Sequence, residues 1–348
     1  MVLFAQMSAR TAAVLAASNG QAGSKSVAML TLPDEIEIVE VAPRDGLQGF
    51  PRPIDTATKI RMVNLIGRAG LRTIEVTSFA RPEVVPNLAD ANEVMAGIER
   101  LPGTVYRALV PNARGAERAI AAGADEILGL ATVSRTYLRR NQNMERHEAL
   151  DQAVQAFALA EAAGRRFVMA LGMAFWCPYE GMIPAADVRD CVAFLHGHGI
   201  RRIYLAGSVG LEDPRHVGAL FTELRGTFPD IRFGYHIHDR SGFAPANILA
   251  ALDAGVTWLE GAILGLGGGI AMPTAVGDAG NYPTEDLVNL CESAGIASGL
   301  ELQRVMAAAR QIAVLIGVAP KSQALLGGTR AAARAPTGSA PRASRGGE

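Results

Sequence analysis

The feature that most restricts what this chain can fold into is a rhythm. Short apolar or β-branched runs alternate with longer stretches of helical period. The strand candidates are Glu37 to Ala42, Thr73 to Ser78, Val105 to Val110, Glu126 to Ala131, Arg166 to Leu171, Arg202 to Ala206, Arg232 to Ile237 and Thr257 to Ile263. Between them lie the helix candidates Ala57 to Ala69, Leu88 to Ile98, Ala113 to Ala121, Arg146 to Ala163, Ala185 to His198, Pro214 to Thr227 and Pro245 to Asp253, and Thr284 to Ser293 follows the last strand. Alternation of this kind specifies parallel strands joined by crossover helices. Eight strand runs with no linker between them point to a single (β/α)8 TIM barrel rather than two domains or an open doubly wound sheet. Gly70, Gly123, Gly164 and Gly255 each follow an alanine where a helix must stop, and glycine there supplies the left-handed cap.

Composition narrows the function classes. Of 348 residues, 49% are hydrophobic and 19% charged, which supplies a large core and excludes disorder for most of the chain. Basic and acidic residues number 33 and 34, a net charge of -1, so there is no basic field for nucleic acid. No run reaches the ~18 apolar residues of a membrane span. The three cysteines, Cys177, Cys191 and Cys291, are an odd number widely spaced, which suits buried thiols in a reducing compartment. The cytoplasm is the expected location, or the mitochondrial matrix if residues 1–33, rich in Ala and Ser with no acid, are a transit peptide. Residues 1–33 are otherwise expected to be a flexible leader, 34–325 the barrel domain, and 326–348 a disordered tail of Ala, Arg, Gly, Pro and Ser.

In barrels of this kind the reacting groups gather at the carboxyl ends of the strands. Pro43-Arg44-Asp45-Gly46-Leu47-Gln48-Gly49 follows the first strand and sets a cation, a carboxylate and an amide on one loop. Tyr235-His236-Ile237-His238-Asp239 ends the seventh. Residues i and i+2 of a strand share a face, so His236 and His238 can meet one metal ion, with Asp239 placed to orient a histidine from behind. An aspartate and an amide oxygen complete such a set, and Asn281 in Gly277-Asp278-Ala279-Gly280-Asn281 can supply the amide. Mixed nitrogen and oxygen donors suit a divalent cation, magnesium or manganese first, with zinc, cobalt and iron open. Gly265-Leu266-Gly267-Gly268-Gly269 follows the last strand, so it is no dinucleotide fingerprint and suits a loop closing over substrate. Glu75 lies inside an apolar strand and needs a cation; Arg44 is the natural partner, either held in place for function or joined in a structural ion pair.

Taken together, VEVAPRDGLQ, TIEVTSF, WCPYEGMI, HIHD, AILGLGG and GNYPTEDLV resemble the 3-hydroxy-3-methylglutaryl-CoA lyase family of metal-dependent TIM-barrel lyases, over about Glu37 to Ile316. The resemblance implies Asp45, His236, His238 and Asn281 as metal ligands, Arg44 as a catalytic residue contacting substrate, Glu75 as the acid beside it and Gln48 as a second substrate contact. His236 or a bound water is the expected base. Two positions depart from the family pattern: Gly269 stands where its loop GLGGC has cysteine, and Gly207 where its sixth strand, LGDT, has aspartate. The implied activity is carbon-carbon cleavage of a 3-hydroxy-3-methylglutaryl-CoA-like acyl-CoA to acetyl-CoA and a keto acid by retro-Claisen or aldol chemistry. A lyase for another branched hydroxyacyl-CoA such as citramalyl-CoA, a Claisen-type synthase or aldolase of the same superfamily, and a metal-binding pseudoenzyme are the competing readings. The expected partners are a small acyl-CoA and a second copy of the chain as homodimer, with neither nucleic acid nor membrane.

Overall fold

The computed structural model describes residues 30–267 and 280–334. Eight parallel strands close on themselves: β1 (Glu37–Glu40), β2 (Thr73–Ser78), β3 (Val105–Val110), β4 (Glu126–Thr132), β5 (Arg166–Gly172), β6 (Arg202–Gly207), β7 (Arg232–Ile237) and β8 (Trp258–Gly261). Each pairs with its sequence neighbours, and β1 closes the ring against β8 in the register Glu37↔Trp258 to Glu40↔Gly261. The (β/α)8 barrel expected from the rhythm is the architecture found.

Helices α1 (Thr56–Arg68), α2 (Ala91–Gly97), α3 (Ala113–Ala121), α4 (Arg135–Gln142), α5 (Arg146–Ala162), α6 (Ala185–Gly197), α7 (Pro214–Thr227), α8 (Ala244–Asp253), α9 (Thr284–Ala294) and α10 (Leu302–Ile316) accompany the strands. Local chemistry sets their ends. The side chains of Asp55, Asn112 and Asp213 accept from the first free backbone N–H groups of α1, α3 and α7. Gly70, Gly123, Gly164 and Gly255 stop the preceding helices at φ of +106°, +79°, +64° and +82°, as the Ala-Gly pairs require.

The differences from expectation have local causes. The helix expected over Leu88 to Ile98 is broken into a 3₁₀ turn, Pro86–Leu88, and α2. Asn87 is drawn inward there, its amide nitrogen donating to the carbonyls of Leu47, Gln48 and Phe50 at 3.2, 3.3 and 2.9 Å. Beyond α10 the chain forms two further short helices, Gln323–Gly327 and Arg330–Ala333, so the tail expected from 326 does not begin there. Ala324 is buried, and the Asp286 carboxylate accepts from the N–H groups of Gln323 and Ala324, which fastens this segment to α9. Residues 1–29 of the expected leader and 335–348 of the expected tail lie outside the described residues. Among the described residues no helix is long and apolar enough to cross a membrane.

Large branched residues usually fill a barrel of this size. Here charges link end to end. Arg202 donates to Glu37 at 2.9 Å and to Glu126 at 2.8 Å; Arg107 donates to Glu126 at 2.7 Å and to Glu260 at 2.6 Å; and Glu260 lies 3.2 Å from Nδ1 of His236. Arg107, Glu126 and Glu260 have no solvent exposure. Each charge faces an opposite one, which is the condition for keeping ions in an interior. The chain of charges ends at a histidine expected to bind metal.

Candidate metal centre

The loop after β1 is a single π turn, Ala42–Gly46, in which the Val41 carbonyl accepts from the N–H groups of Asp45 and Gly46 at 2.8 and 3.3 Å. Glu40 holds this turn in place: its carboxylate accepts from the N–H groups of Ala42 and Ile263 at 2.8 and 3.0 Å and from the Thr284 hydroxyl at 2.6 Å. Arg44 and Asp45 are thereby set at the end of the barrel. Arg44 donates through Nε to Glu75 and through Nη1 to Asp45 Oδ1 at 2.6 Å.

His236 and His238 extend from the end of β7 on one face. Their Nε2 atoms lie 3.1 Å apart, and Asp45 Oδ2 is 3.9 Å from that of His236 and 3.5 Å from that of His238. Asn281 is bridged to His238 through the backbone and donates from Nδ2 to Asp45 Oδ2 at 2.7 Å and to the Leu266 carbonyl at 2.8 Å. Its Oδ1 is buried without a partner.

This donor set fits a divalent cation. Two imidazole nitrogens at 3.1 Å either share one proton in an N–H···N bond or, with both lone pairs free, hold a positive charge between them. One ligand atom from each of Asp45, His236 and His238 falls within 4.8 Å of the others. Asn281 adds an amide whose nitrogen faces Asp45 and whose oxygen is buried without a partner. Mixed imidazole and carboxylate ligands with positions left open are the pattern of a catalytic rather than a structural site.

Burial opposes charge on the groups here, and at Asp45 and Glu260 their neighbours overcome it. Burial raises Asp45, but Arg44, the hydrogen bond with His238 and both imidazoles hold it well below the ordinary carboxylate range. Burial likewise raises Glu260, while Arg107 and His236 bring it down to about 2, so it is ionised at neutral pH. An ionised Glu260 accepts from His236 Nδ1, which in a neutral imidazole leaves Nε2 as the lone pair on the side of Asp45 and His238. A lone pair that held a cation there could not accept a proton at the same time.

The structure thus brings Arg44, Asp45, Glu75, His236, His238 and Asn281 together. Gln48 sits just past the π turn and is partly exposed. The carboxylate found against Nδ1 of His236 is Glu260, while Asp239 Oδ1 is buried without a partner. Tyr204 also went unnoticed in the sequence. It projects inward from β6 and stacks on His236 with ring centroids 5.7 Å apart, and burial, with Glu260 and Glu75 nearby, raises its phenol well above the usual range and keeps it neutral. The readable signal for Glu260 was an acid inside the run Trp258-Leu259-Glu260, the same signal that singled out Glu75. Gly269 and most of the loop around it lie outside the described residues, as do Gly277, Asp278 and Ala279.

Residues 35–312 match the HMGL-like family model. The mitochondrial hydroxymethylglutaryl-CoA lyase of Mus musculus is 38% identical over 280 residues, covering 80% of this chain and 85% of the relative. The hydroxymethylglutaryl-CoA lyase YngG of Bacillus subtilis is 37% identical over 82% of this chain and 94% of its own. A crystal structure of the Bacillus subtilis HMG-CoA lyase superposes with a TM-score of 0.81 at 37% identity, covering 85% of this chain and 98% of that one. An HMG-CoA lyase from Acinetobacter baumannii, in complex with coenzyme A and 3-methylmalate, superposes with a TM-score of 0.79 at 32% identity over 85% and 96%.

Proposed function

The chain belongs to the HMGL-like family and is a lyase of that family, and from this premise we propose that it cleaves a carbon-carbon bond in a 3-hydroxy-3-methylglutaryl-CoA-like thioester, releasing acetyl-CoA and a keto acid. The observation that carries the reading is the meeting of Arg44, Asp45, His236, His238 and Asn281 at the carboxyl ends of β1, β7 and β8. A divalent cation held there by Asp45, His236, His238 and Asn281 would lower the pKa of the substrate's tertiary alcohol and fix its orientation.

The protein's own groups do the rest. Arg44 is held through Nε and Nη1, so its remaining nitrogen can donate to the thioester oxygen that gains charge as the bond breaks. Glu75 and Asp45 outweigh burial and raise the guanidinium's pKa, which keeps it protonated throughout. Glu75 positions Arg44 through its contact with Nε. The alcohol's proton passes to water, the carbon-carbon bond opens to a carbonyl and a thioester enolate, and protonation of that enolate completes acetyl-CoA.

A lyase for a different branched hydroxyacyl-CoA is the second reading. Two observations favour it: glycine at 207 and 269, and a structural neighbour that holds coenzyme A with 3-methylmalate. One assay separates the two. Metal-loaded protein is incubated with 3-hydroxy-3-methylglutaryl-CoA and with citramalyl-CoA, and acetyl-CoA release is followed. Cleavage of the first alone supports the main reading and of the second alone the other, while no cleavage of either by protein with metal bound overturns both. Full activity in His236→Ala would refute the site.

A further inference from the structure

The end of β6 holds an arrangement that strand pattern did not reveal. Gly207 has no side chain, yet its side-chain space is filled. A Cβ built on Gly207 would lie 1.8 Å from Oε1 and 2.6 Å from Cδ of Glu212. The carboxyl group of Glu212 therefore occupies the room that a side chain on the strand end would take. Glu212 is 2% exposed. Its Oε1 accepts from the Tyr235 hydroxyl at 2.6 Å, its main-chain oxygen accepts from the Asn247 amide at 3.0 Å, and its Oε2 is buried with no partner.

The loop that carries Glu212 is laid along the end of β7. The carbonyl of Val209 accepts from Arg240 Nε at 3.2 Å and that of Gly210 from the Ser241 N–H at 3.0 Å. Gly210 takes φ +69°, and a Cβ there would come within 2.7 Å of the His238 carbonyl oxygen. No larger residue allows that approach without a shift. Tyr235, the partner of Glu212, directly precedes His236.

We propose that Glu212 supplies, from the loop, the carboxyl group that the end of β6 does not carry itself, and that it acts as a positioning residue for the strand bearing His236 and His238. Stability alone does not explain an acid at this place. A glutamine would satisfy Tyr235 equally well, and a buried carboxyl oxygen without a partner costs stability. An acid gripping the residue before His236 does have a use: through Tyr235 it steadies the strand end that offers the two imidazoles. Gly207 and Glu212 then form one unit, in which the missing side chain makes room for the acid.

The proposal rests on the lyase reading for its turnover measurements only. Three variants of the full chain test it: Glu212→Gln, Gly207→Asp and Gly207→Asp with Glu212→Ala. Each is measured for melting temperature, Mn2+ affinity by calorimetry, and kcat and KM on whichever thioester the wild type cleaves. Glu212→Gln is expected to melt like the wild type, bind Mn2+ more weakly, and lose at least tenfold in kcat with KM little changed. Gly207→Asp alone is expected to melt lower, because two carboxyl groups meet in one space. The double variant is expected to recover melting temperature, Mn2+ affinity and most of the lost kcat. Unchanged Mn2+ affinity and kcat in Glu212→Gln would overturn the proposal, as would a double variant no better than Gly207→Asp alone. If the wild type cleaves no thioester, the lyase reading fails, while melting and Mn2+ affinity still decide this one.

Discussion

Replacing Glu260 by glutamine tests how the barrel interior governs the metal centre. Glu260 receives Arg107 Nη1 at 2.6 Å and Trp258 Nε1 at 3.1 Å on Oε1, and faces His236 Nδ1 with Oε2 at 3.2 Å. A glutamine keeps one oxygen for Arg107 and Trp258, and its NH2 then faces His236. Two donors cannot share that contact. The imidazole must move its proton to Nε2, which removes the lone pair offered to the cation, or lose the contact and its fixed orientation. Loss of such a second-layer partner weakens metal affinity by about 10- to 100-fold. That is about 1.4–2.7 kcal/mol. The fold also loses a buried counter-charge, but Arg107 keeps Glu126 at 2.7 Å, so the loss should fall near or below the lower end of the ~3–5 kcal/mol typical of a broken buried pair. The measurement is calorimetric titration of dialysed wild type and Glu260→Gln with Mn2+ at one pH, beside thermal melts of the metal-free proteins. A Mn2+ affinity within twofold of wild type, in a variant that melts cooperatively, would refute the orienting role of Glu260.

Three further outcomes follow from the same structure. Arg44→Gln leaves Glu75 buried without its cation and is expected to lose about 3–5 kcal/mol of stability and ~100- to 1000-fold in kcat; adding Glu75→Gln should restore the melting temperature but not turnover, and recovery of both would show Arg44 to be purely structural. Burial raises the Glu40 carboxyl to about 7 and that of Glu285 to about 8, so as pH rises from their ordinary 4.5 the unfolded chain releases protons that the folded chain retains, and stability falls until about pH 8. Glu285→Gln should accordingly melt higher than wild type at pH 9 by up to ~5 kcal/mol, a limit set by about 1.4 kcal/mol per pKa unit, and lose that advantage at pH 5; a pH-independent difference would refute the assignment. Returning Mn2+ at 100 times its Kd to chelator-treated protein should stabilise it by about 2.7 kcal/mol, and an equal shift in Asp45→Asn would show that the ion binds elsewhere.

The sequence disclosed what depends on neighbours along the chain. Strand positions followed from apolar runs, helix stops from Gly70, Gly123, Gly164 and Gly255, and the ligand pair from the two-residue spacing of His236 and His238 at a strand end. Asp45 and Asn281 were identified through motif order, and the structure places them within reach of the same point. What stayed hidden depends on partners distant in sequence or on exact backbone path. Arg107 and Glu260 are 153 residues apart, and nothing local tells Glu260 that it faces both an arginine and a histidine. The π turn at Ala42–Gly46 depends on Glu40 gripping the ends of β8 and α9. Helix α10 has a helical period of its own but follows no strand, so the alternation that marks the other helices does not mark it. The place of Glu212 is set by contact with a residue that has no side chain, and sequence pattern carries no signal for that.

The run of charges through the barrel has a consequence for how this chain can diverge. Glu37, Arg202, Glu126, Arg107 and Glu260 each share partners with the next, so a single neutral replacement removes a counter-charge from an ion in the barrel interior and leaves it with fewer partners. Drift through one-residue steps is therefore costly at these positions. Descendants and near relatives should either keep the set whole or exchange its members in matched pairs, Arg107 together with Glu260 above all. In an aligned collection of close homologues these five columns should covary, while the apolar positions between strands and helices should interchange freely among residues of similar volume.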